Sequence, residues 1–138
     1  MTIAELGKKY KLKGDVDLWK CHNDWILTHD ACTKIAHIEN IKLSKIESIY
    51  QSENICWFLV TMVREDKDGN VLDSVTSVGE ATFPKDCKIS YVASMSEKRG
   101  IDRAILKLIK AYEWGVYSEI EAEAFKKENN VWKLVEWK

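Results

Sequence analysis

Regularly spaced cations mark the segment from residue 96 to residue 110. Arg99, Arg103, Lys107 and Lys110 stand at positions i, i+4, i+8 and i+11, which places them on one stripe of an α-helix. Residues 84–110 hold seven Lys or Arg against three Asp or Glu, although the whole chain has a net charge of -1. We therefore predict a cationic stripe, made of these four residues, on the side of the helix opposite its apolar face.

Such a stripe suits a phosphate backbone, because each neutralised phosphate releases bound counterions. Exposed aromatic side chains would add stacking platforms for bases, and Tyr50 and Tyr91 are the candidates. The predicted nucleic-acid site consists of Arg99, Arg103, Lys107, Lys110, Lys88, Lys98 and Tyr91. Two simpler alternatives stay open, namely solvated surface cations and aromatic rings that belong to the core.

Thiols and imidazoles gather in a second segment, CHNDWILTHDACTKIAH. It holds Cys21, His22, His29, Cys32 and His37 within 17 residues, and these are ligand types that zinc prefers. Their spacings match no common zinc finger or knuckle, and buried free cysteines with a capping histidine explain them equally well. We predict no metal and no cofactor.

The sequence carries no signature of an enzyme. It lacks GxSxG, HExxH, GxxxxGK[ST] and any paired-carboxylate pattern, so nothing fixes a base beside a nucleophile. We therefore predict a binding protein without catalytic activity.

Composition is that of an ordinary globular protein. The 138 residues are 46% hydrophobic and 31% charged, and one proline with no Gly/Ser-rich linker predicts a single domain over 1–138. Four widely spaced cysteines and an N-terminus without an apolar leader predict a reduced, cytoplasmic protein. No apolar run approaches the length of a membrane span, so we expect no membrane partner.

Capping patterns and apolar spacing locate three helices. Thr2 and Glu5 form a capping box for a helix over 3–11, and Thr28 or Asp30 opens a second one. Ser94 and Glu97 form another capping box, so a long helix is predicted from there to about Trp114. Its apolar face is spaced three or four residues apart and consists of Ile101, Ala104, Ile105, Leu108 and Tyr112.

Between the second and third helices the period changes to two. Three strands are predicted, LSKIESIYQ, ICWFLVTMVRED and VLDSVTSVGEATF, with Asp68-Gly69 in the turn before the last. The middle strand is apolar at both odd and even positions, which predicts that both of its faces are covered. After residue 118, SEIE predicts a short acidic helix, with Ser118 and Glu121 as its capping box and Ile120, Ala124 and Phe125 facing inward. The tail VWKLVEWK fits a short strand or an amphipathic turn.

The predicted fold class is therefore α+β: a three-stranded antiparallel β-meander with helices packed on it, and a long cationic helix after the sheet. Gly100, inside that helix, costs about 1 kcal/mol relative to alanine. It marks a close approach to the sheet or to a neighbouring subunit, or is simply tolerated.

The segments GEATF (79–83) and MSEKRGIDRAILKLIKAYEWGVYSEIEAEAF (95–125) resemble phage single-strand-annealing recombination proteins of the Erf/Sak-like superfamily. In that family a β-meander precedes a helix with an R-x-x-x-R-A pattern, found here at 99–104, and an acidic segment follows. The resemblance covers about residues 28–125, with Gly100 where alanine is usual. A phage or prophage protein of unassigned role with the same helix resembles the chain equally.

The resemblance implies single-stranded DNA binding and annealing by a homo-oligomer, without catalysis or a cofactor. Phosphates would face Arg99, Arg103 and Lys107, with the bases turned outward for pairing. The competing hypothesis is a protein-interaction module or a homo-oligomeric structural protein. In that case the cationic stripe pairs with an acidic surface such as Glu119, Glu121 and Glu123 of another copy.

Overall fold

A computed structural model of the protein describes residues 2–21, 23–87 and 91–120. Within these ranges the elements are, in order, α1 (Ile3–Lys9), β1 (Leu18–Cys21), β2 (Asp24–Leu27), α2 (His29–Glu39), β3 (Ile41–Gln51), β4 (Ile55–Glu65), β5 (Val71–Thr82), α3 (Val92–Leu108), a 3₁₀ turn (Ala111–Trp114) and β6 (Val116–Ser118). Two three-stranded sheets with helices packed on them make this an α+β fold, as predicted.

The larger sheet is the predicted meander. Strands β3, β4 and β5 lie in that order and pair antiparallel, and Gly69 adopts a φ of 84° in the turn between β4 and β5. Side chains of β4 alternate between two faces. Cys56, Val60 and Met62 are buried on the face that α3 covers, whereas Trp57 on the other face is 45% exposed. The expectation that both faces of β4 are covered is therefore wrong for the described residues.

Two helix starts follow the predicted caps. The Thr2 hydroxyl accepts a hydrogen bond from the Glu5 N–H at 3.2 Å, and the Thr28 hydroxyl accepts one from the Ala31 N–H at 3.0 Å. These contacts satisfy backbone donors that have no partner inside the helix. Asn40 ends α2 in the left-handed conformation, with a φ of 56°.

The smaller sheet, β1-β2-β6, was not predicted. β1 and β2 form a short antiparallel hairpin, and β6 pairs in parallel with β2, joining Trp25 to Val116 and Leu27 to Ser118. Strands of three or four residues carry little periodic signal, and this pairing joins segments about ninety positions apart in sequence.

The predicted limits of the long helix are wrong. α3 begins at Val92, so Ser94 lies inside the helix and does not cap it, and the helix ends at Leu108 rather than near Trp114. The chain then turns through Lys110, with a φ of 59°, into the 3₁₀ turn and β6. Of the predicted acidic helix, Ser118 is the last residue of β6, and Glu121, Ala124 and Phe125 lie outside the described residues, as does the 131–138 tail.

Helix α3 lies at the centre of the molecule. It contacts β4 and β5 of the larger sheet, and also α2 and β6. Its buried residues join a hydrophobic cluster that draws on both sheets and on α1 and α2, including Leu6, Leu27, Ile35, Val60, Ile105, Leu106 and Val116. None of the described helices combines the length and the apolar character needed to cross a membrane.

Gly79 on β5 and Gly100 on α3 mark the closest approach of helix to sheet. A Cβ added at Gly79 would collide with the carbonyl oxygen of Ser96, and one added at Gly100 would lie 2.7 Å from Val60 Cγ2. The Ser96 hydroxyl also donates a hydrogen bond to the Gly79 carbonyl at 2.6 Å. Of the alternatives considered for Gly100, close approach to the sheet is the one observed.

Candidate nucleic-acid interface

Arg99, the first member of the cationic stripe, is buried, with 1% of its surface exposed. Nε donates to the Ile120 carbonyl at 2.8 Å, and Nη1 donates to the Glu80 carbonyl and to Asp86 Oδ1, both at 3.0 Å. Nη2 donates to the Asp86 carbonyl at 2.6 Å. A buried guanidinium whose N–H groups donate to these acceptors is not available to a phosphate backbone. The prediction that Arg99 contacts DNA is therefore wrong.

Arg103 lies one helical turn further on, at the outer edge of β5. Nη1 donates to the Val78 carbonyl at 2.7 Å and to Glu80 Oε2 at 2.9 Å. The side chain of Arg103 is 24% exposed and that of Glu80 is 41% exposed. The guanidinium therefore occupies the boundary between the sheet and solvent.

Lys107 and Lys110 continue the cationic stripe and are both exposed. Lys107 Nζ lies 3.3 Å from the hydroxyl of Ser77, again on β5, and Lys110 follows the end of α3. Among the described residues no ion pair includes either lysine. Arg103 and Lys107 thus lie along β5 instead of facing away from the packed side of the helix, which corrects the orientation predicted for the cationic stripe. Lys110 lies beyond the last residue of α3, so its predicted place on the helix is also corrected.

The remaining predicted residues lie apart from this row. Lys98 is exposed on α3 near His29, where its charge offsets part of the rise in the pKa of His29 that comes first from the hydrogen bond to Asp102. Tyr91 precedes the first residue of α3 and is 72% exposed. Lys88 lies outside the described residues. The structure therefore brings Arg103 and Lys107 to β5, whereas Lys98 lies elsewhere on α3 and Lys110 lies beyond the end of the helix.

The side of the larger sheet that no described element covers, here called the open face, presents aromatic side chains. Tyr50 on β3 stands opposite Trp57 on β4. The two rings meet edge to face, with centroids 6.4 Å apart, and each residue is about half exposed. The simpler alternative for Tyr50, a ring that belongs to the core, is not what the structure shows.

A lateral row connects this aromatic pair to the cations. Trp57 is the cross-strand partner of Tyr50 on one side and of Glu80 on the other, and directly paired residues project from the same face of a sheet. Glu80 in turn accepts the hydrogen bond from Arg103. Tyr50, Trp57, Glu80 and Arg103 therefore follow one another across the sheet to its edge.

The chain matches no protein-family model, no curated protein and no solved structure. The resemblance to annealing proteins stays a prediction, and function has to be argued from the site itself.

Sequence reasoning also missed a buried polar network behind α3. Asp102 is fully buried; its Oδ1 lies 2.7 Å from His29 Nδ1, and its Oδ2 accepts from the Ser118 hydroxyl at 2.7 Å. The hydrogen bond to the Asp102 carboxylate raises the pKa of His29. Burial raises the pKa of Asp102. An aspartate within the otherwise apolar helix segment GIDRAIL is the signal in the sequence that points to this network.

The cysteines of the segment CHNDWILTHDACTKIAH belong to the folded core, and His29 belongs to its hydrogen-bond network. His29 is the first residue of α2 and its side chain bonds to Asp102, while Cys21 and Cys32 are buried and form no disulfide among the described residues. Within residues 2–21, 23–87 and 91–120, no group of three His, Cys, Asp or Glu side chains is placed to hold a metal ion. His22 lies outside these ranges.

Proposed function

We propose that this protein binds single-stranded DNA without catalysing a reaction, and that it anneals strands as a homo-oligomer. The observation that carries the proposal is the row of cations along the outer edge of β5. Arg103 and Lys107 both reach β5, at Val78 and Ser77, and Lys107 is exposed without an ion partner among the described residues. Lys110, also exposed, follows the end of α3. Like charges spaced a turn apart repel one another, and a phosphate backbone along this row relieves that repulsion.

The position of α3 favours a single strand over a duplex. Reading a duplex through its major groove requires a helix or ribbon that stands free to enter the groove. α3 is packed against β4, β5, α2 and β6, and Arg103 and Lys107 lie where the helix meets the margin of the sheet. A flexible single strand can follow such a margin, whereas a rigid duplex gains only peripheral contacts there.

A protein-interaction module is the second candidate, and the apolar part of the open face supports it. Val78 is 38% exposed and stands beside Leu59 on the same face as Trp57. Large exposed apolar patches mark protein contacts. Association through such a patch survives high salt, whereas phosphate binding weakens as salt rises.

The test is fluorescence anisotropy of a labelled oligothymidylate titrated with protein, with a duplex of equal length as competitor. We expect the single strand to bind more tightly than the duplex, and the Arg103→Ala/Lys107→Ala variant to bind more weakly. The matched control is Lys8→Ala/Lys20→Ala, which removes two positive charges from exposed positions on α1 and β1. Equal losses in both variants would attribute binding to net charge alone, and absence of binding at low salt would reject the proposal.

A further inference from the structure

The open face carries more exposed aromatic surface than the fold requires. Tyr50 is 51% exposed and Trp57 is 45% exposed, although both lie within strands and not in a loop. On the opposite face of β4, Cys56 and Val60 are fully buried beneath α3. The aromatic pair therefore contributes little to the core, and its solvent-facing surface is free for a ligand.

A β-bulge sets the position of Tyr50. The register of β3 against β4 shifts between Ser48 and Tyr50, so that Tyr50, and not Ile49, stands opposite Trp57. Without the shift, the alternation from Glu47 would place Ile49 on the open face, because a one-residue slip exchanges the two faces. The backbone thus departs from regular pairing at the point where the two rings meet.

The surroundings of the aromatic pair suit a ligand with flat rings on a charged backbone. Beside Trp57 the row continues through Glu80 to Arg103, and Lys107 lies one helical turn from Arg103. Aromatic platforms next to a cationic track are the arrangement by which proteins hold unpaired nucleotides. An apolar partner protein would use the rings but would make no use of the positive charge of Lys107, which is exposed beside Ser77.

We propose that Trp57 and Tyr50 stack on unpaired bases of a strand whose phosphates lie along Arg103 and Lys107. This inference rests on the proposed function and adds to it the part of the nucleotide that the open face recognises. Bases stacked in this way face the sheet, in contrast to the outward-facing bases that the resemblance to annealing proteins implies. Recognition is of the ring face, so any base is accepted.

An abasic oligonucleotide separates base stacking from phosphate binding. Anisotropy would compare an oligothymidylate with an abasic deoxyribose-phosphate oligomer of the same length and label. Stacking contributes roughly 5- to 100-fold in affinity per base, so we expect the abasic oligomer to bind at least about 5-fold more weakly. In Trp57→Ala this ratio should fall towards one, and Tyr50→Ala, as an independent variant, should reduce it in the same direction.

Two further variants distinguish the outcomes. Arg103→Ala/Lys107→Ala should weaken both oligomers and keep their ratio, because it removes phosphate contacts only. Tyr117→Ala removes an exposed aromatic from β6 in the other sheet and should leave the ratio unchanged. Equal affinity of the unmodified protein for the two oligomers would overturn the stacking inference while leaving single-strand binding intact. Failure to bind either oligomer would overturn both proposals.

Discussion

At the level of single residues, Arg99 ties three parts of the chain together. Its guanidinium reaches the carbonyls of Glu80 on β5, of Asp86 in the turn that follows, and of Ile120 after β6. Because these acceptors are enclosed with it, losing the guanidinium leaves them without partners and leaves the Asp86 carboxylate without its cation. The positive charge of Arg99 therefore serves the fold.

Replacing Arg99 should accordingly damage stability much more than replacing Arg103. We expect Arg99→Met to lower the free energy of unfolding by about 3 kcal/mol or more, as for breaking a buried ion pair. Arg103→Met, which breaks a partly exposed pair, should cost about 1 kcal/mol or less. Urea denaturation of the two variants measures the difference. Equal losses in the free energy of unfolding would show that Arg99 does not stabilise the fold more than Arg103 does.

His29 should make stability depend on pH. Its folded-state pKa is raised, first by the hydrogen bond to Asp102, so the folded protein holds this proton more tightly than the unfolded chain does. The stabilising contribution is fully present below the unfolded pKa of about 6.5 and is lost as pH rises through the folded pKa. The other charged groups around the imidazole are Lys98 and Asp30, which also act on its pKa, and Glu119, which accepts from its backbone N–H.

The matched variant is His29→Gln, which keeps a side-chain donor for Asp102 but does not titrate near neutrality. Denaturation at pH 6 and pH 8 should show the unmodified protein losing stability over this interval. His29→Gln should lose less free energy of unfolding than the unmodified protein over the same interval. If the two proteins show the same pH dependence, His29 is not responsible for it.

At the level of elements, the contact between α3 and β5 depends on two glycines. A methyl group on Gly79 would meet backbone atoms of α3, and one on Gly100 would meet the Val60 side chain. Side chains can shift more readily than backbone, so Gly79→Ala should be the more damaging change. Overpacking of this kind costs about 1–3 kcal/mol.

Gly7→Ala provides the control for these substitutions. Gly7 lies in α1, and a methyl group added there would lie 4.0 Å from its nearest neighbour, the Leu12 carbonyl oxygen. At this position alanine should stabilise the helix by up to about 1 kcal/mol. In thermal unfolding, Gly7→Ala should therefore have a higher Tm than the unmodified protein, and Gly79→Ala should have the lowest Tm. An unchanged Tm in Gly79→Ala would contradict the close packing of α3 on β5.

The edge of β5 should bind phosphate more tightly when Glu80 is neutral. Glu80 holds Arg103 and places a negative charge beside Trp57. Glu80→Gln keeps the size of the side chain, releases the guanidinium from its ion pair and removes repulsion of phosphate. We expect a several-fold gain in affinity for oligothymidylate at low salt. Glu47→Gln on β3, away from Arg103, is the control. An equal gain in affinity in this variant would show that the effect comes from net charge and not from the position of Glu80.

At the level of the whole molecule, local patterns predicted local structure. The Thr2 and Thr28 caps, the continuous apolar run of β4 and the Asp68-Gly69 turn lie within short stretches of sequence, and they led to α1, α2 and the meander. The β1-β2-β6 sheet was missed because its pairing joins distant segments through very short strands. The site was predicted in part: helical spacing showed which residues share a stripe, but it does not show which strand packs against that stripe.

Arg99 and Trp57 show how packing between elements overrides what local spacing predicts, one by burying a cation and the other by exposing an aromatic ring. The spacing of Arg99 is that of a surface cation, yet acceptors from β5, from its following turn and from the segment after β6 enclose it. Trp57 lies in a strand apolar at every position near it, yet it is about half exposed because nothing among the described residues covers its side of the sheet. Both outcomes depend on the arrangement of elements in space.

The salt dependence of oligothymidylate binding tests the central claim most directly. Anisotropy titrations from about 20 mM to 300 mM salt give the slope of log affinity against log salt, which is roughly −0.7 for each phosphate neutralised on a single strand. We predict tight binding at low salt, a linear fall as salt rises, and a slope smaller in magnitude by about 1.4 in Arg103→Ala/Lys107→Ala, which removes two cations. Absence of binding at the lowest salt, or a slope that these substitutions leave unchanged, would contradict a phosphate track along β5.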